Sequence, residues 1–530
     1  MKNIVKLNDF VVFLREFLWE KPVHLFLIIF TLLLGFGVKL TTISYNNDLA
    51  DGFFSQRFRF LDQKRWGCAF YSWLGLTDRN IPFWSDCLGL FFLLLGALLL
   101  AFLLKKISKD RFNYSSLIVF ILLFISYPLR LEFGIYPSGL LVEGICYCEV
   151  AFALILISEI RSFKEFLSFR GGISMLILGV AFSSYESFMV VYIVAVCLIV
   201  FCKVYMGQIK TFSQTISELY PYIGASIGGL LCRFGVLFLL WMAGFRFSAG
   251  GGAAAKEILW LNGETFLVFV ILIKGLLYSY VYNAMFYFAL FVFILTCAFG
   301  LILALKKNNR LLLLFILGTT IFFIFSLSFI LGSSQPYRIC QSMSLFVGII
   351  WLLLWQDQKQ FKKVLFVGVC LTVLLQTKEM SLFLTYDHLV SEKTRADIVK
   401  LGTDIKSQFG ADPEKEVIIV GQADLWEKHS DMRYSMALRS LYRFHRHQVF
   451  PYAGRGRFNS KNFVMYSKLE RWCDLKIPRL SNEDRSAYSQ IAKKNKQHEW
   501  PCDGYIKEYD NCIIVNLGLG DEQCESESGK

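Results

Sequence analysis

Charge is scarce in this sequence. Asp, Glu, Lys and Arg make up 18% of its 530 residues, below the roughly 25% usual for soluble domains, which excludes an ordinary water-soluble globular protein. Histidine is scarcer still, with six residues scattered along the chain. Since no two cysteines stand at C-x-x-C spacing, no zinc ligand set forms from sequence. There is no Walker loop and no dinucleotide fingerprint, so a soluble-type ATPase or a nicotinamide-dependent enzyme is not expected. No internal repeat of 20–50 residues is visible. The amino-terminal stretch "MKNIVKLNDFVVFLREFLWEKPVHLF" has no small-residue cleavage site after a short apolar core. It reads as a cytoplasmic interfacial helix, with Lys2, Lys6, Arg15 and Lys21 beside Phe and Trp.

What fills the sequence instead is apolar. Hydrophobic residues account for 55% and aromatic ones for 16%, with a mean hydropathy of +0.49. Several runs approach the 18 or more apolar residues that cross a bilayer as helix. The fold class expected is a polytopic α-helical membrane protein of about eleven spans, near residues 23–43, 88–104, 113–129, 140–159, a pair within 172–202, 219–244, 284–304, 311–331, 340–355 and 364–379. The run 172–202 is interrupted by "SSYES", so two short helices with Tyr185 and Glu186 at their turn fit it better than one. The net charge of +13 lacks any nucleic-acid motif and is expressed in short loops such as "KKISKDR", "RSFKEFLSFR", "KVYMGQIK", "KKNNR" and "KQFKK". That is the signature of cytoplasmic loops, with contacts to membrane lipids rather than nucleic acid. An odd number of spans then sends the carboxyl terminus outside.

Composition shifts after residue 379. Residues 1–379 are expected to form the membrane domain and 380–530 a small α/β domain on the outer face. In the latter, "SEKTRADIVKLGTDIKSQFG" reads as an amphipathic helix, "EVIIVG" as a buried strand, "YSMALRSLYRF" as a second helix and "NCIIVNLG" as a late strand. If the outside is oxidising, pairing among Cys68, Cys87, Cys473, Cys502, Cys512 and Cys524 is expected.

The chemistry-bearing residues concentrate where spans meet water. Asp48 and Asp51 follow the first apolar run in "SYNNDLADGFF". A carboxylate there can serve as the base that takes a hydroxyl proton at a lipid-phosphate surface; Asp51 can equally cap a helix entering at "GFFSQRF". Arg57, Arg59, Lys64 and Arg65 follow in the same loop, Arg130 and Glu132 in "YPLRLEFGIYPSG", and Arg338 in "GSSQPYRIC". Arginine suits phosphate because its planar fork bonds two oxygens at once, yet each of these can also snorkel to lipid headgroups. Arg233, Lys274, Glu143 and Glu149 lie inside apolar runs, where a charge faces a cavity or a partner. An internal ion pair and a substrate pocket compete evenly for them.

With these residues in view, the chain resembles the serotype-converting glucosyltransferases that modify bacterial O-antigen, integral-membrane enzymes of the GT-C architecture. The resemblance rests on "YNNDLADGFF", "SSYESFMVVYIV", "QPYRICQSM" and the closing "WPCDGYIKEYDNCIIVNLG". Where that family shows adjacent Asp residues in its first loop, this chain has Asn47 and then Asp48, so only Asp48 carries over. The resemblance implies a glycosyltransferase of the bacterial inner membrane, with an undecaprenyl-phosphate-linked sugar as donor, usually glucose, and a lipopolysaccharide or O-antigen glycan as periplasmic acceptor. It implies no soluble cofactor and no nucleotide-sugar site. Asp48 would be the general base, Asp51 a second acid or a positioner of the base, and Arg130, Arg338 and Arg65 a phosphate clamp, with Glu132, Tyr185, Glu186 and Arg233 as further substrate contacts. A carboxylate beside phosphate also suits Mg²⁺ or Mn²⁺, so a divalent metal stays open. A flippase for lipid-linked glycans is the alternative; inverted repeats would favour it, and none is visible. A structural or polymer-assembly component, in which no single acid is indispensable, is a third reading.

Overall fold

The computed structural model describes residues 7–42, 57–77, 82–131, 138–160, 162–247, 265–277, 287–332, 337–358, 360–410, 413, 415–424, 457–459, 469–470, 473–475, 477, 482–498 and 502–517. They fall into two compact units, divided after Leu384.

The first unit is helical: α1 (Leu7–Leu14), α2 (Pro22–Thr41), α3 (Trp66–Trp73), α4 (Pro82–Ile107), α5 (Tyr114–Ile125), α6 (Gly139–Ile157), α7 (Phe169–Ser184), α8 (Ser187–Tyr205), α9 (Phe212–Met242), α10 (Thr265–Leu277), α11 (Tyr287–Leu305), α12 (Arg310–Ile324), α13 (Met343–Asp357) and the start of α14 (Lys362–Phe409), with shorter helical turns between them. Among the described residues, seven helices are long and apolar enough to cross a membrane, and five more apolar helices are shorter. Among the shorter ones, α10 is an apolar helix that lies outside the expected spans. The interruption at "SSYES" separates α7 from α8: Tyr185 is extended (φ −156°, ψ 128°) and Glu186 returns to helical angles.

Local chemistry sets the helix starts. The Asn113 side chain accepts from the Ser116 N–H at 2.9 Å and opens α5. Thr211 and Gln214 form a reciprocal capping box that opens α9. Helices α6 and α8 are buried along most of their length, whereas α9 turns Leu231, Phe234, Phe238 and Leu239 outward, as a lipid-facing helix would. The amino-terminal segment is helical as expected; Phe13 and Phe17 stack at 5.4 Å and reach Phe102 and Tyr114.

Close helix contacts run through small residues. A Cβ on Gly144 of α6 would stand 2.6 Å from the Gly89 carbonyl of α4, and one on Gly89 would meet the α6 backbone at 2.8 Å. These two helices therefore touch backbone to backbone, as in small-residue packing within membranes.

The second unit is a small α/β domain. Strand β1 (Glu416–Val420) lies parallel to β5 (Cys512–Asn516), which pairs antiparallel with β4 (Ile506–Glu508); β2 (Gln422–Asp424) and β3 (Arg457–Asn459) form a separate ribbon. The run "VIIV" has no polar alternation because both faces of β1 are covered. Val417 and Ile419 pack with Ile398, Leu401 and Ile405 from the end of α14, while Ile418 and Val420 pack with Ala492 of α15 (Asn482–Lys494). The helix expected at "YSMALRSLYRF" lies outside the described residues. The expected disulfides do not form among the described cysteines: Cys68, Cys87, Cys473, Cys502 and Cys512 are free thiols. Cys68 donates to the Ser184 carbonyl at 3.1 Å, and Cys473 to that of Ile398 at 3.7 Å.

Two outcomes follow from this packing. Gly144→Leu is expected to lower stability by about 2 kcal/mol, the scale of an overpacked core, while Gly37→Ala, with nothing within 4 Å of its Cβ, leaves thermal unfolding in detergent unchanged or slightly raised. Maleimide labelling followed by peptide mass mapping should modify exposed Cys502 quickly and leave Cys473 and Cys512 unlabelled until unfolding, since both are buried and burial raises their thiol pKa.

Candidate functional site

Four residues singled out from sequence converge on the turn between α7 and α8. Arg233 of α9 donates through one terminal nitrogen to the Phe182 carbonyl at 2.7 Å and through the other to Glu186 Oε1 at 2.9 Å. Arg65 stands 3.7 Å from Glu186 Oε2, and its guanidinium lies 4.8 Å over the Tyr185 ring. The side chains are 11%, 32% and 41% exposed for Arg233, Arg65 and Glu186, so the cluster grades from bundle interior to surface.

Packing explains the convergence. On α7, a Cβ at Gly179 would clash with Cys232 of α9, and one at Gly229 of α9 would clash with Leu178. That close approach brings Arg233, one helical turn beyond Gly229, alongside the end of α7. A Cβ on Gly67 would fall 2.4 Å from the Val180 carbonyl, so α3 lies directly on α7 and delivers Arg65. Trp66, which the sequence did not mark, donates its indole N–H to the Arg233 carbonyl at 3.2 Å and closes the arrangement.

Arg130 sits elsewhere. It ends a 3-10 turn, Pro128–Arg130, and points inward rather than toward headgroups: its side chain is 1% exposed, 3.5 Å from fully buried Glu143. It donates to the Phe124 carbonyl at 2.5 Å and lies over the Phe124 ring at 4.6 Å. The 3-10 turn Tyr337–Cys340, which carries Arg338, packs against the turn that carries Arg130. Of the other intramembrane charges, Glu149 accepts from the Tyr71 hydroxyl at 2.7 Å, and Lys274 lies exposed on α10. Asp48, Asp51 and Glu132 lie outside the described residues.

Two further charge features were not marked from sequence. Lys39 of α2 pairs with Asp86 of α4 at 3.8 Å with both side chains buried. The Glu379 carboxylate of α14 accepts from the Phe288 and Ala289 N–H groups at 2.7 and 3.2 Å, capping the start of α11. Each was readable only as a charge at the edge of an apolar run. Among the described residues, no group of three or more His, Cys, Asp or Glu could hold a metal ion.

This broken-helix turn, with two arginines around one carboxylate, is set in a bundle of apolar helices consistent with a polytopic helical membrane protein. The family model described as Glucosyl transferase GtrII matches residues 37–355. The chain belongs to that family and is a glucosyltransferase. No curated protein and no solved structure matches it significantly.

The Arg130–Glu143 pair offers a stability test. Removing one partner leaves a buried charge unmatched, so Arg130→Met or Glu143→Leu alone should cost about 3 kcal/mol or more, while the double variant recovers most of it. Thermal unfolding of the four proteins in one detergent checks this; additive losses would mean that the pair is not coupled.

Proposed function

We propose that this glucosyltransferase moves glucose from undecaprenyl phosphate to an O-antigen-type glycan of lipopolysaccharide, on the periplasmic side of the bacterial inner membrane. Asp48 is the general base that takes the proton of the acceptor hydroxyl, and Asp51 assists it. Arg65 and Arg233 bind the donor phosphate, with Tyr185 supporting Arg65. Arg130, enclosed with Glu143, backs the turn that carries Arg338, a further cation for the lipid phosphate. Residues 1–379 form the catalytic membrane domain, and the α/β domain of 380–530 helps select the glycan.

The observation that carries this reading is the meeting of Arg65, Tyr185, Glu186 and Arg233, drawn from three separate stretches of sequence, at one partly exposed turn. A phosphate leaving group needs such fixed cations, because charge accumulates on it as the glycosidic bond breaks. Family membership supplies the reaction type.

The test is sugar transfer in membranes at matched protein levels, using labelled polyprenyl-phosphate glucose and lipopolysaccharide. Wild type should transfer, and Asp48→Asn should lose on the order of a hundredfold or more, the usual weight of a general base. Full transfer by the variant would move the base away from Asp48. No transfer by wild type, under conditions where a control transferase works, would overturn the donor–acceptor pair and favour a lipid-glycan transporter.

A further inference from the structure

Glu186 answers two guanidinium groups, and it is the least fixed member of the three. Arg233 is held by the Phe182 carbonyl at 2.7 Å, is about nine-tenths buried, and its Nε makes no hydrogen bond. Arg65 rests on the Tyr185 ring. Glu186 sits at the start of α8, half-exposed, and only its contact to Arg233 has hydrogen-bond length; the one to Arg65 is 3.7 Å. The cations are anchored while the anion between them faces water.

The charges of the proposed reaction match this asymmetry. With the carboxylate in place the cluster carries a formal +1, and without it +2. A polyprenyl-phosphate sugar is a phosphodiester with one negative charge. During transfer the acceptor hydroxyl gives its proton to a base and its oxygen bonds to the anomeric carbon. The bond from that carbon to the phosphate oxygen breaks, and the phosphate keeps the electron pair. It leaves as a monoester of charge about −1.5 to −2 near neutral pH. The leaving group thus acquires the second negative charge that a +2 site would match.

We propose that Glu186 is an exchangeable counter-ion: it occupies the Arg65–Arg233 pair in the empty enzyme and is displaced by the phosphate of the lipid carrier as charge develops on it. The inference rests on the reading of a phosphate-linked donor and deepens it by naming what the phosphate replaces. Displacement by an anion of higher charge is favoured because both arginines can then bond phosphate oxygens in forked geometry. Return of the carboxylate after transfer would help expel the product. A purely structural Glu186, one that only pins the turn to α9, predicts the opposite: its loss would loosen the turn and weaken binding.

The experiment measures binding of undecaprenyl phosphate to the purified full chain in phosphatidylcholine nanodiscs, with polyprenol lacking phosphate and inorganic phosphate as parallel probes. Wild type should bind the lipid phosphate. Glu186→Gln should bind it more tightly, by about two- to fivefold, the scale expected when a partly exposed competing carboxylate is removed. Arg233→Gln should bind it at least that much more weakly, and polyprenol should not distinguish the three. In the transfer assay Glu186→Gln should lower KM and kcat together, because the product phosphate leaves slowly. Should Glu186→Gln fail to fold, Glu186→Asp, whose shorter reach weakens the pair, should show a smaller tightening in the same direction. Equal or weaker binding by a folded Glu186 variant overturns the exchange and leaves the donor reading intact. No binding by wild type overturns the donor reading and the exchange with it. Binding of inorganic phosphate with the same Glu186 dependence supports the exchange and shows that the lipid tail is dispensable for it.

Discussion

A charged side chain that enters an apolar helical bundle has to meet a counter-charge or hydrogen-bond partners there. An isolated ionised group in such surroundings costs several kcal/mol even after relaxation. Among the described residues, ion pairs meet that demand between Lys39 and Asp86, Arg130 and Glu143, and Arg233 and Glu186. Lys39–Asp86 and Arg233–Glu186 each join helices far apart in the chain and so also fix which helix faces meet, while Arg130–Glu143 ties the 3-10 turn to the neighbouring α6. The first two are enclosed on both sides and act as scaffold. The third has one partner inside and the other partly in water, and that difference separates a structural pair from the candidate site.

Glycine provides the approach that the pairing needs. Two helices separated by ordinary side chains stand 8–10 Å apart, and contacts through Gly179 and Gly229 draw α7 and α9 closer. Gly67 does the same for α3 against α7. The cluster at the α7–α8 turn is therefore a consequence of three small residues as much as of the charged ones. The indole of Trp66, bonded to the Arg233 carbonyl, links both approaches and keeps Arg65 beside Glu186.

Much of this was legible in the sequence, and what was not has physical reasons. Polar residues inside a long apolar run marked the break at "SSYES", and an unalternating "VIIV" marked a strand covered on both faces. Arg233, Tyr185, Glu186 and Arg65 stood out singly by their surroundings. Their meeting could not be read, because no local period relates Arg233 to Glu186 across two helices. Arg130 looked interfacial from its place beside Pro128 at the end of an apolar run; the 3-10 turn carries it inward instead. Lys39, Asp86 and Glu379 went unmarked because a charge at the edge of an apolar run looks like an interfacial one. The thiols of the second unit suggested disulfides by compartment alone. Among the described cysteines packing holds Cys473 against Gly402 of α14 instead, and Cys524 lies outside the described residues.

The position of the cluster follows from the break itself. In an unbroken helix the Phe182 carbonyl would accept from the N–H of Glu186, four residues on. Because Tyr185 is extended, that carbonyl is released in a region where an unmet backbone acceptor is expensive. Arg233 takes it, and with its other terminal nitrogen takes the side chain of the same Glu186. One guanidinium thus replaces the lost helical bond and binds the residue that would have made it. The backbone half of this arrangement is obligatory, since the carbonyl has to be satisfied whatever the ligand state. The carboxylate half is not obligatory, because Glu186 has water available. A helix break in a membrane bundle therefore does more than bend the chain: it fixes an arginine on a carbonyl that cannot leave and offers the rest of its charge to an anion that can.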